Sequence, residues 1–136
     1  MEKPGIVSSS IEIEAPLSTV WTMITDKAYA KELGKEFDTG AFVESDWKLG
    51  SEVHFKYEPN RLVSTGTITQ LIDNELIQVD YDFDGYLYEE RYTIEEKNST
   101  SILSIYAGPY TSDYEDQKVV WGNWLSKVKE LSEKIA

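Results

Sequence analysis

The segment YLYEERYTIEE carries the residue with the most chemical promise in this chain. Glu90 shares alternation parity with Tyr88, Tyr92 and Ile94, so an unbroken strand aims its carboxylate at the interior beside two phenols. Desolvation raises the pKa of a carboxylate unless donors compensate, and a group held that way is suited to proton transfer. Strands at a curved rim also bulge, and a bulge would turn Glu90 to solvent. Both orientations are open on the sequence, and no catalytic residue is assigned.

Other segments supply aromatic rings of matching parity. In SEVHFKYE the dry side is Val53, Phe55 and Tyr57, set against Glu52, His54, Lys56 and Glu58. In ELIQVDYDFDG the pattern is sharper, with Ile77, Val79, Tyr81 and Phe83 alternating with Gln78, Asp80, Asp82 and Asp84. Phe55, Tyr57, Tyr81, Phe83 and Tyr92 therefore face one interior, together with Trp121 and Trp124 from the C-terminal segment. Such a set can be no more than a core, because aromatic rings fill volume efficiently. Several phenols on a dry face nevertheless need partners, which water or a polar ligand group would supply.

Most other site chemistry is excluded by residue type. His54 is the only histidine and lies among charged neighbours, whereas a triad or metal site needs convergent partners. There is no cysteine, hence no disulfide, thiolate metal site or cysteine nucleophile. The acidic runs DYDFDG and SDYED lack the ligand spacing of a calcium loop, and neither a phosphate loop nor a dinucleotide fingerprint occurs. No cofactor and no metal are expected.

The elements that must position these residues follow from periodicity. In IEIEAPLSTVWTMITD a strand rhythm through Glu14 gives way to helical spacing at Leu17, Val20, Trp21 and Ile24, with Pro16 as the joint at the first helical position. DKAYAKELGKE predicts another turn or two of helix, stopped by Gly34. Residues 37–44, FDTGAFVE, are expected to be extended, and SDWKLGS is a polar turn into VHFKYE. Four further strands, LVSTGTITQLI, ELIQVDYDF, YLYEERYTIEE and SILSIYA, are separated only by short turns, which makes neighbours antiparallel. Asp84-Gly85 is the strongest hairpin signal, and Gly66 predicts a bend or bulge that lets the sheet curl. Gly66 with Ile68, Tyr92 with Ile94, and Leu103 with Ile105 are the inward pairs. The last segment is a helix with an S-x-x-E capping box at Ser112 and Glu115 and an apolar face of Trp121, Trp124, Leu125, Val128, Leu131 and Ile135. The order predicts one α+β domain over residues 1–136, its helices on one face of a curved antiparallel sheet of about six to seven strands.

Charge narrows the partners. Lys plus Arg number 13 against 25 Asp plus Glu, a formal charge of -12, which repels nucleic acid and anionic membrane surfaces alike. No apolar run reaches the roughly 20 residues of a membrane span. MEKPGIVSSS has neither the basic start nor the apolar stretch of a secretory signal, so the cytoplasm is the expected location.

IEIEAPLSTVWTMITD, the turn DWKLGSEV, the strand containing Gly66-x-Ile68 and the terminal WGNWLSKVKEL, taken in that order, resemble the START-like, or SRPBCC, superfamily of helix-grip domains. The branch they resemble is the homologues of the heat-shock-protein-90 ATPase activator. The resemblance implies a curved sheet gripping the C-terminal helix and enclosing an elongated apolar cavity, one end closed by the first helices with Trp21 near the sheet's edge. Carried over by position, the implied lining is Phe55, Ile68, Tyr81, Tyr92, Trp121 and Leu125, to which strand parity adds Tyr57, Phe83 and Glu90. The family the chain resembles binds hydrophobic molecules, and because aromatic concavities commonly hold ligands, the expected function is binding of a small apolar or aromatic molecule without catalysis. A module that stimulates a chaperone ATPase and a polyketide cyclase or aromatase are the alternatives.

Overall fold

In the computed structural model, which describes residues 5–135, β1 (Val7–Ile13) forms one edge of a seven-stranded sheet. The chain then makes α1 (Leu17–Thr25), a 3₁₀ turn (Lys27–Tyr29) and α2 (Ala30–Gly34), and re-enters the sheet at its opposite edge as β2 (Ala41–Ser45). From there a meander returns through β3 (Glu52–Tyr57), β4 (Arg61–Ile72), β5 (Leu76–Phe83), β6 (Tyr86–Lys97) and β7 (Thr100–Gly108) to pair with β1, giving the order β1-β7-β6-β5-β4-β3-β2. Every pairing is antiparallel, as the short turns require from β2 to β7. α3 (Tyr114–Ile135) packs on the same face against β1, α1 and α2. This is the helix-grip arrangement: a curled sheet holding a long C-terminal helix, with short helices after the first strand. Residues 1–4 and 136, part of the single domain expected from the sequence, lie outside the described residues.

The β1–α1 joint is tight. Pro16 is extended and serves as the N-cap rather than the first helical residue, its carbonyl accepting from the Thr19 and Val20 N–H groups. Ser101, fully buried on β7, donates its hydroxyl to the Ala15 carbonyl at 2.7 Å and pins the joint to the sheet. Leu17, Trp21 and Ile24 pack on the core as half-buried residues, while Val20 and Met23 form the fully buried centre of the helical face. Residues 36–40 form turns rather than the expected strand, so extension begins only at Ala41. Gly34 explains the tightness there: a Cβ would lie 1.9 Å from the Ala41 carbonyl oxygen.

Curvature comes from two register shifts, one between Phe55 and Lys56 opposite β4 and one between Ile68 and Gln70 opposite β5. Gly66 lies between them and is not itself the bulge. Its hydrogen is what Tyr81 needs, since a Cβ would fall 2.7 Å from the Tyr81 ring and from Val79. Asp84 and Gly85, at φ +55° and +93°, make the hairpin turn as expected. The helix α3 begins one residue later than a Ser112 cap implies: Asp113, at φ +58°, offers its carbonyl to the Gln117 N–H, displacing the predicted capping box.

Ile13, Ile68, Ile77, Leu103, Val128 and Trp121 are among the fully buried side chains, at the center of the contact between sheet and α3. Trp121 alone removes apolar area worth about 4–6 kcal/mol at about 25 cal/mol/Å², before entropy is subtracted. On the convex face Gln78 departs from its expected solvated position and is 6% exposed. Arg91 on the neighbouring strand donates Nε to its Oε1 at 2.9 Å, and its own amide donates to Asp80 at 3.0 Å, so longer polar side chains cover it.

Candidate functional site

β6 receives β5 on one side and β7 on the other without any register shift, so the bulge that would have turned Glu90 outward does not form. Tyr86, Tyr88, Glu90 and Tyr92 all point to the concave face, where Glu90 lies between its cross-strand partners Val79 and Ala107, both buried. The same register sets Tyr81 opposite Tyr88 and Phe83 opposite Tyr86. These side chains floor a cleft of about 560 Å³. Phe55, Tyr57, Val63 and Ser64 from β3 and β4 and Val43 from β2 form one wall, and Trp121 and Gln117 from α3 form the other, with Phe37, Asp38 and Tyr110 contributed by loops. Phe83 and Val63, 42% and 49% exposed, mark the mouth. The space is therefore a cleft open to solvent, not the enclosed cavity the resemblance implied.

A directed chain of hydrogen bonds runs through this cleft. Tyr92 donates its hydroxyl to Glu90 Oε1 at 2.7 Å, and Tyr88 donates to Oε2 at 2.8 Å. Tyr88 and Tyr110 hydroxyls are 2.6 Å apart, and the Trp121 indole N–H donates to the Tyr110 oxygen at 2.9 Å. An indole can only donate and each phenol has one proton, so with Glu90 ionised the order is Trp121 to Tyr110 to Tyr88 to Glu90, with Tyr92 arriving separately. Two donors end on the carboxylate, with Tyr110 and Trp121 aligned behind Tyr88. Desolvation nevertheless dominates and holds the Glu90 carboxyl above the usual carboxylate range, against the lowering effect of the Tyr92 and Tyr88 hydrogen bonds. Burial raises the Tyr81, Tyr88 and Tyr92 phenols far above their ordinary value, reinforced by the nearby Glu90 charge. Tyr110 moves the same way, again mainly from burial.

At the mouth, Tyr57 donates to Asp38 Oδ2 at 2.7 Å, a bond that raises the Tyr57 pKa. The rings pack edge to face and tilted: Tyr92 lies 6.0 Å from Trp121 and 5.4 Å from Trp124, and Phe37 meets Trp121 at 4.9 Å. The Tyr86 hydroxyl is buried without a hydrogen-bond partner among the described residues. Ten of the sixteen lining residues are aromatic.

Seven of the nine residues expected from the sequence converge here: Phe55, Tyr57, Tyr81, Phe83, Glu90, Tyr92 and Trp121. Ile68 and Leu125 do not. At 1% and 3% exposure they lie in the solid core, because their faces point inward but other side chains cover them. The first helices close the end of the cleft where Ile24, Leu33, Phe37 and Trp47 surround Trp124 and Tyr92, leaving a recess of only about 40 Å³. The reading from sequence placed Tyr88 inward beside Glu90 without counting it in the lining, and missed Tyr86, which extending the same parity would have found, and Gln117, one helical turn before Trp121. Tyr110 and Phe37 come from loops and carry no periodic signal. His54 faces outward beside Glu52, with its Nε2 3.1 Å from the carboxylate. A second hollow of about 330 Å³, at the end of β7, is lined by Ile6, Asp80, Leu87, Glu89 and Tyr106 among others, without the converging hydrogen bonds of the first. Among the described residues no three potential metal ligands cluster, and no helix is long and apolar enough to cross a membrane.

Comparison with known proteins agrees with this architecture. The family model described as Activator of Hsp90 ATPase homolog 1-like protein matches residues 14–134. A crystal structure of a Chromobacterium violaceum protein superposes with TM-score 0.74 at 20% identity, covering 96% of this chain and 99% of the other. The solution structure of the Aha1 dimer from Colwellia psychrerythraea gives 0.72 at 16%, covering 94% and 96%. CalU16 from Micromonospora echinospora gives 0.67 at 16%, covering 93% of this chain and 73% of that one. At these identities the superpositions establish a shared fold. Among curated proteins no match is found.

Proposed function

The chain belongs to the family of Activator of Hsp90 ATPase homolog 1-like proteins, and from that premise we propose that it binds a small apolar or aromatic molecule in the cleft between sheet and α3, as a binding protein rather than an enzyme. The observation that carries this reading is the pairing of an aromatic lining with one convergent polar group. Pockets of roughly 300–1,000 Å³ with apolar walls and few placed polar groups are the usual form of small-molecule sites, and about 560 Å³ falls within that range. Rings on β3, β5, β6 and α3 supply the contact area, and the Glu90 array supplies orientation. A core built only for stability would place other apolar residues there, since a sunken carboxylate costs free energy.

The test is titration with the neutral fluorophore N-phenyl-1-naphthylamine. A saturable, one-to-one rise in emission is expected, weakened about tenfold or more in Ser64→Phe, which pushes a ring into the cleft from β4. No saturable signal, or equal affinity in the two proteins, overturns the reading.

The family description favours a second reading, stimulation of a heat-shock-protein-90 ATPase through the protein surface. It predicts faster ATP turnover by the purified chaperone on adding this protein, and an unchanged rate removes it.

A further inference from the structure

The cleft presents two carboxylates, Glu90 and Asp38, and neither lysine nor arginine among its lining residues. Glu90 is held at the floor by Tyr88 and Tyr92, and no basic side chain is among the causes of its perturbation. Arg91, next in sequence, points to the opposite face, where it bonds Gln78 and stacks on Tyr106. A half-buried carboxylate given no counter-charge by the protein is an electrostatic deficit. The aromatic lining adds a separate preference for a cation, because ring faces are negative and attract a cation held within about 6 Å.

We propose that the cleft selects organic cations, namely molecules with a flat apolar body and a protonated amine or quaternary ammonium group, and that Glu90 supplies the counter-charge. The apolar body lies along Phe55, Tyr81 and Trp121. The cationic head sits over the faces of Tyr88 and Tyr92, within the field of the Glu90 carboxylate, whose charge the two phenol donors hold in place. A protein of net charge -12 also draws such a ligand in over a longer distance and repels an anionic one. This inference rests on the binding reading above and sharpens it: a general apolar cleft accepts neutral and charged molecules of one shape alike, and this one does not.

Three probes of the same shape separate the possibilities: 1-naphthylmethylamine, which is a cation at neutral pH, 1-naphthalenemethanol, which is neutral, and 1-naphthoate, which is an anion. Their dissociation constants are measured on the full chain by calorimetric titration, with the Trp121 indole N–H resonance reporting whether each enters the cleft. The amine is expected to bind about tenfold or more tighter than the alcohol, and the anion weakest. Glu90→Gln is expected to bring amine and alcohol to within about threefold of each other. The wild-type ranking stands as a test even if that variant folds poorly. Equal binding of amine and alcohol, or a preference for amine that survives in Glu90→Gln, overturns cation selection and leaves the cleft as a binding site. Binding by none of the three overturns the binding reading and this inference together.

Discussion

Glu90 offers the sharpest energetic test, because its position costs stability at neutral pH. The folded-state pKa is raised by desolvation, so above the ordinary carboxylate value the folded protein holds a proton that the unfolded chain has released. The contribution of Glu90 to stability is therefore greatest at low pH and falls as pH rises from its unfolded pKa to its folded one, by about 1.4 kcal/mol for each unit by which that pKa is raised. Glutamine has the shape of the protonated acid and cannot ionise. Its oxygen accepts from one phenol and its amide donates to the other, so the contacts of Tyr88 and Tyr92, at 2.8 and 2.7 Å, are kept in neutral form. Glu90→Gln is thus expected to match the parent near pH 4 and to exceed it at pH 8, each 1 kcal/mol of difference raising Tm by roughly 3–6 °C for a domain of this size. The surrounding phenols have raised pKa values and stay protonated throughout, so the pH dependence of the difference isolates Glu90. Urea unfolding of both proteins at several pH values measures it. A difference that does not vary with pH, or a variant less stable at pH 8 by the same margin as at pH 4, refutes the reasoning.

Two substitutions test the packing around the cleft. Gly66→Ala brings a methyl to 2.7 Å from Tyr81 and Val79, and is expected to cost about 1–3 kcal/mol in urea midpoint stability while shifting Tyr81 enough to alter N-phenyl-1-naphthylamine affinity. Leu125→Ala empties a 3% exposed core position outside the lining, with an expected cost of about 2–5 kcal/mol and, at temperatures where it remains folded, unchanged probe affinity.

The strands and their dry faces were legible because alternation is a local property. Val53 through Tyr57 and Ile77 through Phe83 could satisfy a half-wet sheet in only one orientation. Parity, however, gives the side of the sheet and not the distance from α3. Ile68 and Tyr81 share the inward side, yet one is sealed in the core and the other reaches the cleft. Leu125 and Trp121 lie one turn apart on α3 and divide the same way. The strand expected over 37–44 starts four residues late, at Ala41, for a related reason: its composition suits extension throughout, but the backbone must first turn so that Gly34 can touch Ala41.

By itself the sequence determined an α+β domain, a meander of antiparallel strands joined by tight turns, and a tryptophan-bearing helix that must cover them, since period and turn chemistry act over a few residues. Only the tertiary structure decided that β1 and β2 stand at opposite edges, that Glu90 stays inward because β6 is paired without a bulge on both sides, and that Tyr110 arrives from a loop to complete the chain from Trp121. It alone also decided that a cleft remains. An unfilled volume is the small difference between the space a curved sheet spans and the side chains that occupy it, and no local pattern encodes that difference.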